Sequence, residues 1–152
     1  MAYPTGTLTF LFTDIEGSTQ LWEQYPEAMK TALAKHDSIL KEAVETNNGH
    51  VIKSTGDGIH AVFESAGQGV AATLAAQQAL SKHTWEEITP QALRVRMGLH
   101  TGRVKSIDLQ TLNELFLQTQ PAHLQKLQGE RLNGEQRSVA RAAMIRSRLS
   151  TN

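Results

Sequence analysis

The sequence contains no cysteine, which excludes disulfide bonds, thiol chemistry and thiolate metal sites. It carries no excess of either charge, with fifteen Lys and Arg against fifteen Asp and Glu, so the total argues for no polyanionic partner. No apolar run approaches the length of a membrane span, and the N-terminus lacks a basic segment ahead of a hydrophobic stretch. These absences predict a soluble, cytoplasmic chain with no membrane partner. There is no internal repeat and no low-complexity tract. The six histidines include no close pair at ligand spacing, so a zinc site is not expected.

What is present suits one compact domain: 152 residues, 39% of them apolar, enough for a real core. The charge balance is uneven along the chain. Residues 1–121 hold 9 Lys/Arg and 13 Asp/Glu, a net of −4, whereas residues 122–152 hold 6 and 2, a net of +4.

The stretch Leu8–Thr19, L-T-F-L-F-T-D-I-E-G-S-T, organises the rest. An apolar run stops at the carboxylate Asp14, passes through Gly17-Ser18-Thr19, and opens into a helical pattern. An acid at a strand end can ligate a hard cation, and the free N–H groups of a helix start face anionic oxygens. A second acidic turn, Gly56-Asp57-Gly58, follows further on.

In order, Met1–Gly6 reads as a loop, and Thr7–Thr13 as a central strand. A first helical turn forms around Leu21 and Trp22. Pro26 then opens a helix on which Met29, Leu33, His36, Ile39, Leu40 and Ala43 share a face, ended by Asn47-Asn48-Gly49. His50–Ser54 and Ile59–Glu64 pair as a hairpin through Thr55-Gly56-Asp57-Gly58. Gly67–Lys82 is a second helix whose alanines allow close packing on a sheet. Thr89-Pro90 breaks the chain before the strand Leu93–Leu99, which finishes in G-L-H-T-G. The order β-α-β-β-α-β predicts an α+β fold, the ferredoxin-like βαββαβ sandwich.

Three motifs then stand together: T-F-L-F-T-D-I-E-G-S-T with L-W-E, H-V-I-K-S-T-G-D-G-I-H-A-V-F, and R-V-R-M-G-L-H-T-G. In this order and spacing, over residues 6–104, they resemble the catalytic domain of class III adenylate/guanylate cyclases. The resemblance implies a partial nucleotide cyclase fold over residues 1–104, acting in cyclic-nucleotide signalling. Its active sites would lie at the interface of a head-to-tail homodimer, or of a heterodimer with a complete cyclase domain. The implied reaction converts ATP or GTP to its 3′,5′-cyclic monophosphate and pyrophosphate with two Mg²⁺ or Mn²⁺ ions per site. Carried over by residue, Asp14 and Asp57 match the metal-binding aspartates, with the Ile15 carbonyl as a further ligand. Glu16, Gly17, Ser18 and Thr19 match the loop around the triphosphate. Lys53 matches the purine-recognising lysine, acting across the dimer interface.

Simpler readings compete. Asp14 suits a cap or turn, Asp57 suits the geometry of its Gly-Asp-Gly turn, and Lys53 suits a solvated strand. His60 and His100 read as structural, Trp22 and Met97 as core, and Arg94 and Arg96 as the solvent or interface face of their strand.

The family pattern that resembles V-N-x-A-x-R, whose Asn and Arg stabilise the transition state, is not found beyond Val104. Ser138-Val139-Ala140-Arg141 places an alanine where the Asn belongs. Residues 105–152 therefore read as a helical C-terminal tail outside the family. Leu109, Leu112, Leu115, Phe116, Leu124 and Leu127 give it apolar sides suited to covering the sheet or binding another protein. Its arginines read as a solvated basic face, because no aromatic interleaving or helix-turn-helix pattern supports nucleic-acid binding. Three functions stay in view: a cyclase domain weakly active or inactive alone, a regulatory partner of a complete subunit, and a non-catalytic protein-binding module.

Overall fold

In the computed structural model, residues 5–85 and 93–104 are described. Strand β1 (Gly6–Ile15) leads into helices α1 (Ser18–Gln24) and α2 (Pro26–Thr46). Strands β2 (His50–Ser54) and β3 (Ile59–Phe63), helix α3 (Ala66–Lys82) and strand β4 (Val95–Val104) complete the order. The four strands form one sheet in the order β2-β3-β1-β4, and every neighbouring pair is antiparallel. This is the ferredoxin-like arrangement expected from the element order. Of the loop expected over Met1–Gly6, residues 1–4 lie outside the described residues and Gly6 instead opens β1; the break at Thr89-Pro90 and the tail over 105–152 also lie outside the described residues.

β1 is central because its side chains can be buried on both faces. Leu11 and Ile15 join the core beneath the helices, with Met29, Leu40, Val44, Ala72, Ala76, Met97 and Leu99. Leu8, Phe10 and Phe12 point to the other face, where they meet Val62 and Val104. Period-two alternation divides one apolar run between two clusters.

The helices lie close to the sheet because small residues face it. A Cβ on Gly69 of α3 would come within 2.9 Å of Thr9 Cγ2, so that approach requires glycine. Ala72 and Ala76 continue the same buried stripe. The side-chain amide of Gln77 donates to the Val95 carbonyl at 2.9 Å, tying α3 to the start of β4.

One local expectation is met and another is extended. One helical segment was expected to run on from Pro26, and α2 does begin there, with proline in its first turn after Tyr25. Its end matches the expectation too, since Asn48 adopts φ 59° just past the last turn. The last strand, expected to finish at Leu99, continues through Gly98–Gly102 to Val104. Its ladder with β1 is complete from Gly6↔Val104 to Ile15↔Val95. Ten residues of central strand offer pairing that outweighs the weak strand preference of two glycines.

Candidate metal and nucleotide site

Asp14 is the penultimate residue of β1, and Asp57 stands in the β2–β3 turn. Three features bind that turn to the end of β1. The Ile15 amide donates to the Asp57 carbonyl at 2.8 Å. The Ile59 amide donates to Thr13 Oγ1 at 2.9 Å. A Cβ on Gly58 would lie 1.8 Å from the Thr13 carbonyl oxygen, so only glycine permits the approach. The hairpin is therefore locked against the strand, and both carboxylates occupy one rim of the sheet.

The turn itself is shaped by its composition. Gly56 takes a left-handed φ of 86°, which glycine adopts without a Cβ penalty. The Thr55 amide donates to the Gly58 carbonyl at 2.9 Å, closing the turn. The Asp57 carboxylate accepts from Thr55 Oγ1 at 3.3 Å and from Ser18 Oγ at 3.2 Å. Ser18 is the first residue of α1, and Gly17 before it has a left-handed φ of 67°. The expected triphosphate loop thus touches the expected metal residue directly. Within it Glu16, Gly17 and Thr19 are exposed and Ser18 is half-buried. The Glu16 amide donates to the Arg94 carbonyl at 2.8 Å, anchoring the loop to the start of β4.

Asp14 already has a cation. Arg96 Nε donates to Asp14 Oδ1 at 2.8 Å, and Arg96 Nη2 pairs with Asp14 Oδ2. The hydrogen bond to Asp14 leads in holding the Arg96 pKa above its ordinary value, with the charge of Asp14 adding to it. The sequence assigned Arg96 to the outer face of its strand. It is exposed there, and it also forms a forked pair with the candidate metal residue. The register Asp14↔Arg96 joins positions 82 apart in the chain, and no local pattern states such a pairing.

Lys53 is exposed on the edge strand β2, opposite His60. Burial, and then the Lys53 charge, lower the His60 pKa. His60 meets Phe12 edge to face at 4.8 Å, consistent with the structural role expected for it. Met97 is buried and Trp22 partly buried against the helix-side core, as expected. On the buried side of α2, His36 is fully buried with Nδ1 2.8 Å from Asp37 Oδ1. Its pKa is lowered by burial, against the opposing pull of Asp37.

The rim supplies two carboxylates, hard oxygen donors suited to Mg²⁺ or Mn²⁺, which commonly bind to one or two carboxylates plus substrate phosphates. Among the described residues no group of three or more His, Asp or Glu gathers to hold a metal unaided. The donor set fits a cation shared with a bound phosphate and does not form an all-protein cage. No described helix is long and apolar enough to cross a membrane.

The family model of the adenylate and guanylate cyclase catalytic domain matches residues 1–110. That of the protein-arginine kinase McsB C-terminal domain matches residues 72–152, so the stretch expected to lie outside the cyclase family falls within this second match. Adenylate cyclases of Podospora anserina and Lachancea kluyveri are each 34% identical to this chain, over 65% and 73% of it. The chain spans only 5% and 7% of their lengths. An uncharacterized protein of Mycobacterium tuberculosis is 38% identical over 69% of this chain and 34% of its own.

Among solved structures, a Trypanosoma brucei adenylate cyclase in its monomeric state aligns with TM-score 0.61 and 26% identity. The alignment covers 68% of this chain and 58% of that one. The guanylyl cyclase Cya2 aligns with TM-score 0.62 and 19% identity, covering 77% and 71%. At that identity the likeness concerns the fold alone.

Proposed function

Since the chain belongs to the adenylate and guanylate cyclase catalytic-domain family, with its C-terminal part matching the protein-arginine kinase McsB C-terminal domain, we propose that the rim of its sheet binds ATP or GTP together with divalent metal. The observation that carries this reading is the docking of the Asp57 turn on the end of β1, through the Ile15 amide and at Gly58, which brings the turn backbone against Asp14. Two Mg²⁺ or Mn²⁺ ions would be held by these carboxylates and the Ile15 carbonyl, with phosphate oxygens completing their shells. Bound metal supplies neutralisation of negative charge at the reacting phosphoryl group.

The chain's own residues prepare the site. Ser18 and Thr55 hold the Asp57 carboxylate in place through their hydroxyls. Arg96 orients Asp14 through their forked pair; were Asp14 to hold a cation, the guanidinium would be free to face phosphate oxygens. Gly17 and Thr19 are exposed on either side of Ser18. Lys53, exposed on the edge strand, is available to a purine held in the site of a second protomer.

The Asn and Arg of the family's V-N-x-A-x-R pattern are missing from residues 105–152. Loss of one transition-state donor costs on the order of 10²–10³ in rate, so the chain alone binds nucleotide and cyclises it little or not at all. In a heterodimer it supplies Asp14 and Asp57 while a complete subunit supplies the absent pair. The test mixes this chain with a complete cyclase subunit whose own metal aspartates have been replaced. Restored cyclic-nucleotide formation supports the reading. Turnover by this chain alone at ordinary enzyme rates, or no restoration in the mixture, counts against it.

A further inference from the structure

Helix α2 ends in a tight, fully paired turn. The Asn48 amide donates to the Glu45 carbonyl at 3.1 Å, and the Gly49 amide donates to the Val44 carbonyl at 2.9 Å. With Asn48 at φ 59°, these two bonds make the Schellman arrangement of a helix C-terminus. Asn48 is exposed, while Gly49 is buried. A Cβ on Gly49 would come within 2.3 Å of the Phe63 ring, so the backbone there is wedged against β3. His50, the next residue, opens β2 and pairs with Val62. The edge strand that carries Lys53 thus starts from a junction with no slack.

The same two residues form an Asn-Gly dipeptide, the pair in which a backbone nitrogen meets least hindrance on its way to the preceding side-chain amide. The Gly49 nitrogen gives up its proton to a solvent base and attacks Asn48 Cγ. The new N–C bond closes a succinimide ring, and the Cγ–Nδ2 bond breaks with release of ammonia. Water then opens the ring at either carbonyl, leaving aspartate or isoaspartate at position 48. In the folded chain the attacking nitrogen is engaged, its proton donated to Val44 and its residue packed against Phe63. The reaction therefore waits on a local opening of this cap.

We propose that Asn48 is a deamidation site gated by the end of α2, and that its isoaspartate product unseats β2. The iso linkage runs the main chain through Cβ and Cγ, adding one carbon ahead of Gly49. No room exists for it beside Phe63, so the His50↔Val62 end of the β2–β3 ladder gives way. Either product also places a carboxylate at the C-terminus of α2, where the helix dipole disfavours negative charge.

The full chain is held at mildly alkaline pH, folded or in denaturing urea, and peptide mass mapping follows conversion at residue 48. Conversion is expected in urea, with a rate at least tenfold lower in the folded chain. Equal rates in the two states overturn the gate, and no conversion in urea overturns the site. The converted chain is then refolded, and its amide hydrogen exchange is compared with that of unreacted protein taken through the same step. Exchange is expected to rise at least tenfold over residues 50–54 and to stay unchanged over β1. Asn48→Asp, which carries the charge without the added carbon, is expected to show a smaller rise. Failure of the isoaspartate form alone to refold supports the same effect. Unchanged exchange over residues 50–54, or an equal rise in Asn48→Asp, overturns it. Asn48→Gly keeps the left-handed turn and is expected to show neither conversion nor the rise; a rise in that variant assigns the effect to urea and overturns the proposal.

Discussion

Arg96 Nε donates to Asp14 Oδ1 at 2.8 Å, so the carboxylate proposed to hold a metal is paired with a guanidinium. The pair joins the central strand to the edge strand β4 at the rim where the Asp57 turn docks. A cation at Asp14 must compete with Arg96 for the same oxygens. Asp14 is in this way ion-paired, while the Asp57 carboxylate accepts only from the neutral hydroxyls of Ser18 and Thr55.

Arg96→Ala removes that competitor. Exposed ion pairs contribute on the order of 0.2–1 kcal/mol, which sets the gain in Mn²⁺ affinity without nucleotide at about 1.4-fold to fivefold. The same variant loses a cation beside the phosphates, so its affinity for Mn²⁺-ATP falls. Calorimetric titration with Mn²⁺ alone and then with the metal–nucleotide complex measures both. Weaker binding of Mn²⁺ alone would contradict the competitive role.

Gly58→Ala strains the junction. The new methyl group meets the Thr13 carbonyl oxygen, with Asp14 Cα close behind, and neither backbone atom can move independently. Forced overpacking typically costs 1–3 kcal/mol, and here the hairpin that carries Asp57 is what gives way. Urea unfolding is expected to show a stability loss of at least about 1 kcal/mol, accompanied by weaker nucleotide binding.

Thr13→Val tests the same junction by a different route. It keeps the shape but deprives the Ile59 amide of its acceptor, Thr13 Oγ1. A buried donor left unsatisfied costs about 1–3 kcal/mol. The loss is expected in the urea midpoint with an unchanged denaturant slope.

How far this was legible beforehand differs from one residue to the next. Phe10 and Phe12 announced a central strand because an uninterrupted apolar run needs burial on both sides. The Thr55-Gly56-Asp57-Gly58 turn announced a hairpin through local chemistry. Asp14 and Asp57 were singled out by strand-end position and motif. The Asp14–Arg96 pair was not legible, because it depends on the register of two strands far apart in sequence. Nor was the continuation of β4 through two glycines, which the long partner strand stabilises.

Low pH is expected to destabilise the chain through its buried histidines. Burial lowers the pKa of His36, His60 and His100 below the ordinary 6.5. In the unfolded chain these rings take up protons near pH 6.5, while in the folded chain they resist. The unfolded state therefore binds more protons below that pH, and stability falls with pH until the folded pKa values are passed. Thermal midpoints should hold steady above about pH 6.5 and decline toward pH 5. His100, whose Nδ1 has no hydrogen-bond partner among the described residues, offers a check, since His100→Leu should make the decline shallower.

The most direct measurement of the central claim is a calorimetric titration of Mn²⁺-ATP and Mn²⁺-GTP into the full chain, its Asp14→Asn form and its Asp57→Asn form. The account predicts saturable, metal-dependent binding of at least one nucleotide by the unaltered chain. It also predicts affinity at least about tenfold weaker for both variants, a loss of some 1.4 kcal/mol. Equal affinity in all three, or no metal-dependent binding by the unaltered chain, would contradict it.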